Sequence, residues 1–209
     1  MDTALASLEV SDLACVRGSR ALFRNLYFKV EAGGALIVEG PNGSGKTSLL
    51  RMLAGFLSPA AGTISIRVGP SEIAEGEDRG KHIGWFGHQD GLKTQLTATE
   101  NLSFFARLYG SDPDIGATLE WAGLSRAAGY PVQYLSAGQK KRLALARLKV
   151  SGRRIWLLDE PFAALDASGK KLVEQMLGDH CASAGIAIAA THETMSIPAS
   201  ILALNGAPR

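Results

Sequence analysis

The stretch that most constrains this chain is Gly40-Pro41-Asn42-Gly43-Ser44-Gly45-Lys46-Thr47, followed by Ser48, which fits G-x-x-x-x-G-K-[ST] at every fixed position. Such a loop needs a buried strand to deliver it and a helix to leave it. Ala35-Leu36-Ile37-Val38 ahead of it is a continuous apolar run, as a strand covered on both faces requires. Leu49, Leu50 and Leu53 behind it recur at helical spacing, and Gly55 offers a stop. The pattern predicts strand, loop and helix in an α/β chain. Gly40, Gly43 and Gly45 permit backbone angles that turn successive N–H groups toward a phosphate at the positive end of the helix. Lys46 is then placed to reach the outer phosphates and the Thr47 hydroxyl to hold Mg2+.

The rest of the chain reads around this unit. Leu8 to Val30 alternates loosely about Arg17-Gly18-Ser19-Arg20, predicting a pair of strands with a polar turn, and Thr63 to Val68 alternates as a half-exposed strand after a turn at Ser58–Gly62. Gly69 to Gly80, rich in Gly, Glu and Asp, reads as a mobile surface loop. His82 to Phe86 is a further strand, leading into Gly87-His88-Gln89-Asp90. Thr97 to Tyr109 is predicted helical, with Thr97 or Thr99 as cap and Leu102, Phe105 and Leu108 on one stripe. Ile115 to Ala122 is a second helical piece with Trp121 in the core, and a third helix runs from Lys140 through Leu143, Leu145 and Leu148. Ile155 to Leu158 and Gly185 to Ala190 are buried strands, a helix from Ala167 to His180 lies between them, and Ile201 to Leu204 is a last strand.

The balance of 22 Lys+Arg against 20 Asp+Glu leaves a net charge of only +2, too small to imply nucleic acid by itself. No apolar run reaches the length of a membrane span, and the N-terminal stretch lacks the apolar centre of a signal peptide, which predicts a chain that stays on the cytosolic side. Cys15 and Cys181 stand far apart and read as free buried thiols. His82, His88 and His180 read as structural or surface residues.

A second chemical group follows from the strand Ile155–Leu158, which ends in Asp159 and Glu160. A carboxylate there can complete the Mg2+ shell beside the phosphate loop, and its neighbour can orient or deprotonate a water, which makes Glu160 the candidate catalytic base. Leu135-Ser136-Ala137-Gly138-Gln139 then resembles the signature sequence of ATP-binding cassette proteins. Gln89 matches that family's glutamine loop, Ala164-Leu165-Asp166 its loop after the carboxylates, and His192 its switch histidine. The resemblance runs from about Leu8 to His192. It implies a P-loop NTPase (RecA-like) α/β core with a parallel-rich sheet over residues 1–89 and 151–209. An antiparallel β portion stands at the N-terminus, and a helical subdomain is inserted over residues 90–150.

The resemblance further implies that two copies face each other head to tail, each closing Ser136, Ala137, Gly138 and Gln139 over ATP held by the other's phosphate loop. Gln89 would join Thr47 and Asp159 at Mg2+, and His192 would hold the γ-phosphate and the water with Glu160. Two positions depart from the pattern. Ala137 stands where the signature has Gly, so a methyl group must be accommodated. No aromatic residue stands in Cys15-Val16-Arg17 to stack on adenine, and Arg17 is the substitute through its planar guanidinium.

Within the family the chain is most similar to ATPase subunits of the heme exporter of cytochrome c maturation. That similarity rests on Gly87 to Thr94, Leu96 to Leu102 and Leu135 to Leu148. It implies a dimer on integral membrane permease subunits, peripheral on the cytoplasmic face of the inner membrane. ATP hydrolysis would drive heme delivery there, with heme itself not touching this subunit. Asp90 to Phe105 is the candidate docking surface, with one of Phe104 and Phe105 facing the core and the other a partner helix. A cassette for another cargo would keep every catalytic assignment; a soluble cassette acting on ribosomes or nucleic acid would need an extension.

Overall fold

In the computed structural model, which describes residues 5–73, 77–87, 89–193 and 195–205, the N-terminal alternation becomes a long hairpin of β1 (Ala6–Arg17) and β2 (Arg20–Glu31). Leu8, Val10, Leu13 and Cys15 of β1 all lie inward. The inward spacing slips from two to three between Val10 and Leu13, where the register shifts and Asp12 takes a φ of 52°. A bulge absorbs the extra residue, and Asp tolerates its left-handed backbone. β4 (Ala61–Val68) pairs antiparallel with the other edge of β1, burying Ile64 and Ile66. The short β5 (Ser71–Glu72) completes a sheet of order β2-β1-β4-β5.

The second sheet is built from β3 (Ala35–Glu39), β6 (Ile83–Phe86), β7 (Ile155–Asp159), β8 (Ile186–Ala190) and β9 (Ser200–Ala203), in the order β6-β7-β8-β3-β9. Every pairing in it is parallel. Because side chains alternate along a strand, β3 sends Leu36 and Val38 to one face and Ala35 and Ile37 to the other. The first face packs on α1 (Lys46–Leu53), which fills the space between the two sheets with Leu49, Leu50, Met52 and Leu53. Eight residues are too few for a stable isolated helix; burying each of those side chains contributes about 1.5–3 kcal/mol, so packing holds α1 in place. The other face packs on α5 (Ala167–Ala182) through Val173, Met176 and Leu177.

Three helices form a separate layer: α2 (Ala98–Tyr109), α3 (Ile115–Trp121) and α4 (Ala137–Val150). They meet through Ala98, Leu102, Leu119, Leu143, Ala146 and Val150. α4 belongs to two cores, because Ala144, Leu145 and Leu148 on its other side pack with Phe86, Trp156 and α5. Trp121 packs partly buried against both clusters. No described helix is long and apolar enough to cross a membrane.

Several expectations need correction. Gly69–Gly80 is not simply a mobile loop: besides β5 it runs into a turn of 3-10 helix at Glu77–Lys81, and Arg79 is 3 % exposed with its guanidinium donating to the carbonyls of Met52 at 3.2 Å and Ile64 at 3.1 Å. Residues 74–76 lie outside the described part, as does His88. Leu108 does not continue the buried stripe of α2; it is 63 % exposed, while Leu102 and Phe105 are buried. The third helix starts at Ala137, a turn earlier than its apolar spacing suggests, because Ser136 caps it. Cys15 is buried but Cys181 only partly so.

Candidate functional site

The sheet order sets the site. β7, β8 and β3 are adjacent and parallel, so their C-terminal ends deliver Asp159-Glu160, Thr191-His192 and the Gly40–Thr47 loop side by side. Carboxyl ends of neighbouring parallel strands are where such sheets hold ligands. Gly40 lacks room for any side chain, since a Cβ would come within 2.3 Å of the Leu204 carbonyl oxygen. Gly45 takes a φ of 108° as the N-cap of α1 and offers no side-chain cap, leaving the first-turn amides open. Inside the loop the Ser44 hydroxyl is buried without a hydrogen-bond partner among the described residues. An orphaned donor beside open helix amides fits a phosphate oxygen.

Lys46 is 8 % exposed. Its ammonium donates to the Gly40 carbonyl at 2.6 Å and lies 3.1 Å from His192 Nε2. Lysine can only donate, so Nε2 takes the acceptor role in that contact. Glu160 Oε1 stands 3.8 Å from the same nitrogen. Glu160 has a φ of 50°, and its N–H is tied to the Ala190 carbonyl at 2.9 Å, so the turn out of β7 is anchored to the strand that carries His192. Thr47 Oγ1 donates to both carboxylate oxygens of Asp159, at 3.1 and 2.9 Å. A hydroxyl and a carboxylate in contact at the edge of a phosphate cradle suit Mg2+, a hard cation that uses few protein oxygens and completes its shell with phosphates and water.

Asn42, Gly43, Gly45, Lys46, Thr47, Ser48, Asp159 and Glu160 line one cleft of about 500 Å3, and Arg17 forms part of its wall. The motif reading missed two other wall residues, Arg20 and Leu22; nothing in the local spacing marks them, because they reach the cleft only through the hairpin. Pro41 lies beside it, with its carbonyl 3.4 Å from the Lys46 ammonium. Gln89, just past β6, is exposed and does not line this cleft.

The signature residues stand elsewhere. Ser136 caps α4 by accepting from the Gln139 N–H at 3.2 Å, and the Gln139 side chain accepts from the Ser136 N–H at 2.9 Å. Ser136 and Ala137 are exposed, and nothing lies within 4 Å of the position a Cβ would take on Gly138. The Ala137 methyl group therefore sits in the open at the start of the helix. These residues do not line the phosphate-loop cleft of their own chain.

Two basic residues of α4 tie the layers together. Arg142 donates to Asp166 Oδ1 at 3.0 Å and to Ser168 Oγ at 2.6 Å, linking the signature helix to the cap of α5. The Gly169 N–H, the Ser168 hydroxyl and then Arg142 hold the Asp166 carboxyl below its usual range. Arg147 donates to the Trp85 carbonyl at 3.2 Å and lies over the Phe105 ring at 5.0 Å.

Known proteins converge on the same reading. The family described as "ABC transporter" matches residues 23–163. The chain is 46 % identical over 196 residues to the "Cytochrome c biogenesis ATP-binding export protein CcmA" of Rhodopseudomonas palustris (strain BisB5), covering 93 % of this chain and 96 % of that one. It is 41 % identical to the protein of the same name from Hyphomonas neptunium, over 91 % of this chain and 92 % of that one. Among solved structures, an ATP-binding subunit of an ABC transporter superposes with a TM-score of 0.78 at 23 % identity, covering 88 % of this chain and 79 % of that one. A dimeric ATP-binding cassette in a post-hydrolysis state, bound to ADP and Pi, superposes at 0.75 with 22 % identity, covering 89 % and 88 %. The chain belongs to the ABC transporter family and, within it, to the cytochrome c biogenesis ATP-binding export proteins.

Proposed function

We propose that this chain is the ATP-hydrolysing subunit of a membrane transporter, and that two copies close over two ATP molecules to drive heme delivery for cytochrome c biogenesis. One observation carries the hydrolytic part: the Lys46, His192 and Glu160 side chains meet beside an unpaired Ser44 hydroxyl and the Thr47–Asp159 contact. The relatives are named for cytochrome c biogenesis and export, and heme as the cargo rests on the resemblance read in the sequence.

On binding ATP, Lys46 exchanges the Gly40 carbonyl and His192 for β- and γ-phosphate oxygens. His192, released from the lysine, turns toward the γ-phosphate and the attacking water, and Glu160 takes the proton of that water. Thr47 and Asp159 would hold Mg2+, which when bound neutralises charge on the phosphate oxygens, and Gln89, outside the cleft here, would join them only on a shift of the segment after β6. Arg17 covers one face of adenine. From the second copy, the capped N-terminus of α4, with Ser136, Ala137, Gly138 and Gln139, brings roughly half a positive charge to the γ-phosphate. Residues 1–89 and 151–209 act as the nucleotide-binding core and residues 90–150 as the arm that carries the signature.

The membrane partner docks on α2. Phe105 is buried, while Phe104 is 36 % and Leu108 63 % exposed on the outer side of the same helix. An apolar side-chain pair left in water on a helix of this kind suits a partner helix. The subunit is accordingly peripheral on the cytoplasmic face of the inner membrane. Mass spectrometry of proteins retained with the chain from solubilised membranes tests this: permease subunits are expected, whereas ribosomal proteins or nucleic acid alone would overturn the transporter reading.

A further inference from the structure

Among the described residues, none that lines the phosphate-loop cleft is aromatic. The nearest ring in sequence, Phe23, is 6 % exposed and packed beneath the loop, where a Cβ on Gly45 would meet it at 3.0 Å. Arg17 can cover only one face of a base, which leaves the other open. Across the molecule, Tyr134 stands 74 % exposed two residues ahead of Ser136. The backbone between them is extended, with Leu135 at φ −75°, ψ 144° and Ser136 at φ −62°, ψ 162°. Tyr134 is therefore carried about 7 Å from the signature serine, with its ring exposed on the groove beside it. With Arg126, Tyr130, Leu135 and Gln139 it walls a groove of about 720 Å3 that is continuous with the start of α4. When that helix start meets the γ-phosphate, the groove extends along the rest of the nucleotide toward its ribose and base.

We infer that Tyr134 of one copy stacks on the adenine of the ATP held by the other, so that the base is sandwiched between Arg17 of the binding chain and Tyr134 of the covering chain. This rests on the two-copy reading above. The ring makes nucleobase recognition depend on closure: the open subunit holds ATP by its phosphates and Arg17, and the second stacking face arrives only with the partner copy.

The test uses ATP turnover by the assembled transporter in solubilised membranes, beside fluorescent-ATP titration of the full isolated chain. Tyr134→Ala is expected to raise the KM for ATP in the complex about tenfold, the order of one base–aromatic stack. Its kcat stays near wild type and isolated-chain affinity is unchanged. Tyr134→Phe restores the wild-type KM, because the ring and not the hydroxyl stacks. Inorganic tripolyphosphate, which has no base, inhibits wild type and Tyr134→Ala equally. An unchanged KM in Tyr134→Ala, no rescue by Phe, unequal tripolyphosphate inhibition or a loss of isolated-chain affinity would each overturn the inference. Failure of the two-copy reading looks different: Glu160→Gln would then hold no ATP in a closed dimer, whatever stands at position 134.

Discussion

The two halves of the proposed ATP clamp are built on opposite plans. The phosphate-loop half is finished within one chain: Ser44 and Lys46 are buried, Lys46 is satisfied by Gly40 and His192, and Thr47 is bonded to Asp159. The signature half is a capped helix start whose Ser136 and Ala137 side chains are exposed and touch nothing of the cleft. A preorganised cradle binds nucleotide by itself, whereas an exposed helix terminus only answers a charge brought to it. Affinity and turnover should therefore separate between the halves.

The strongest way to break this contrast is Glu160→Gln. Turnover of the complex should fall about 10²–10⁴-fold, the usual contribution of a general base, while ATP binding persists; normal turnover would remove Glu160 from its role. Next in size is a pH effect confined to the core half. His180 stacks on Trp156 with ring centroids 3.6 Å apart, and burial lowers its pKa to about 4. The unfolded chain, with an ordinary histidine, binds more protons between that value and about 6.5. Folding stability is then complete above about pH 6.5 and declines as pH falls toward 4, by at most about 3 kcal/mol. Denaturant midpoints across that range should show the slope in wild type and a flatter curve in His180→Phe.

Lys46→Ala should weaken fluorescent-ATP binding to the isolated chain about 10–100-fold, since charge-assisted hydrogen bonds to phosphate are lost. The smallest effect sharpens the other half. Ser136→Ala removes the cap of α4 at about 1 kcal/mol in stability. It should lower turnover of the complex about tenfold yet leave isolated-chain affinity unchanged. Equal losses in both assays would place the signature inside its own chain's cleft and erase the contrast.

The phosphate-loop half, apart from His192, which only the resemblance marked, was legible from residues alone because its requirements are local and directional: glycines where no Cβ fits, an apolar run before them, a carboxylate ending another apolar run. The signature half became legible only through resemblance, since a capped helix start such as Ser136 to Gln139 looks like any other. Arg79 was hidden for a different reason. A single arginine in a Gly- and Glu-rich stretch reads as solvated, and only the folded chain shows it satisfying the carbonyls of Met52 and Ile64. Leu108 misled in the opposite sense: helical spacing marks a face, but not what lies against it. Arg20 and Leu22 depend on the path of a hairpin, which no motif encodes.

The double membership of α4 has a mechanical consequence. Its 14 residues form a rod of roughly 21 Å, gripped on one side by the β6–β7 layer and on the other by α2 and α3. Arg147 fastens it to the Trp85 carbonyl of β6 and to the ring of Phe105. Close-packed side chains do not slide freely, so in the proposed complex a push on the outer side of α2 would be passed to this rod and on toward the end that carries Ser136. On that reading, force from a membrane partner would be geared into displacement where the other copy's nucleotide would sit.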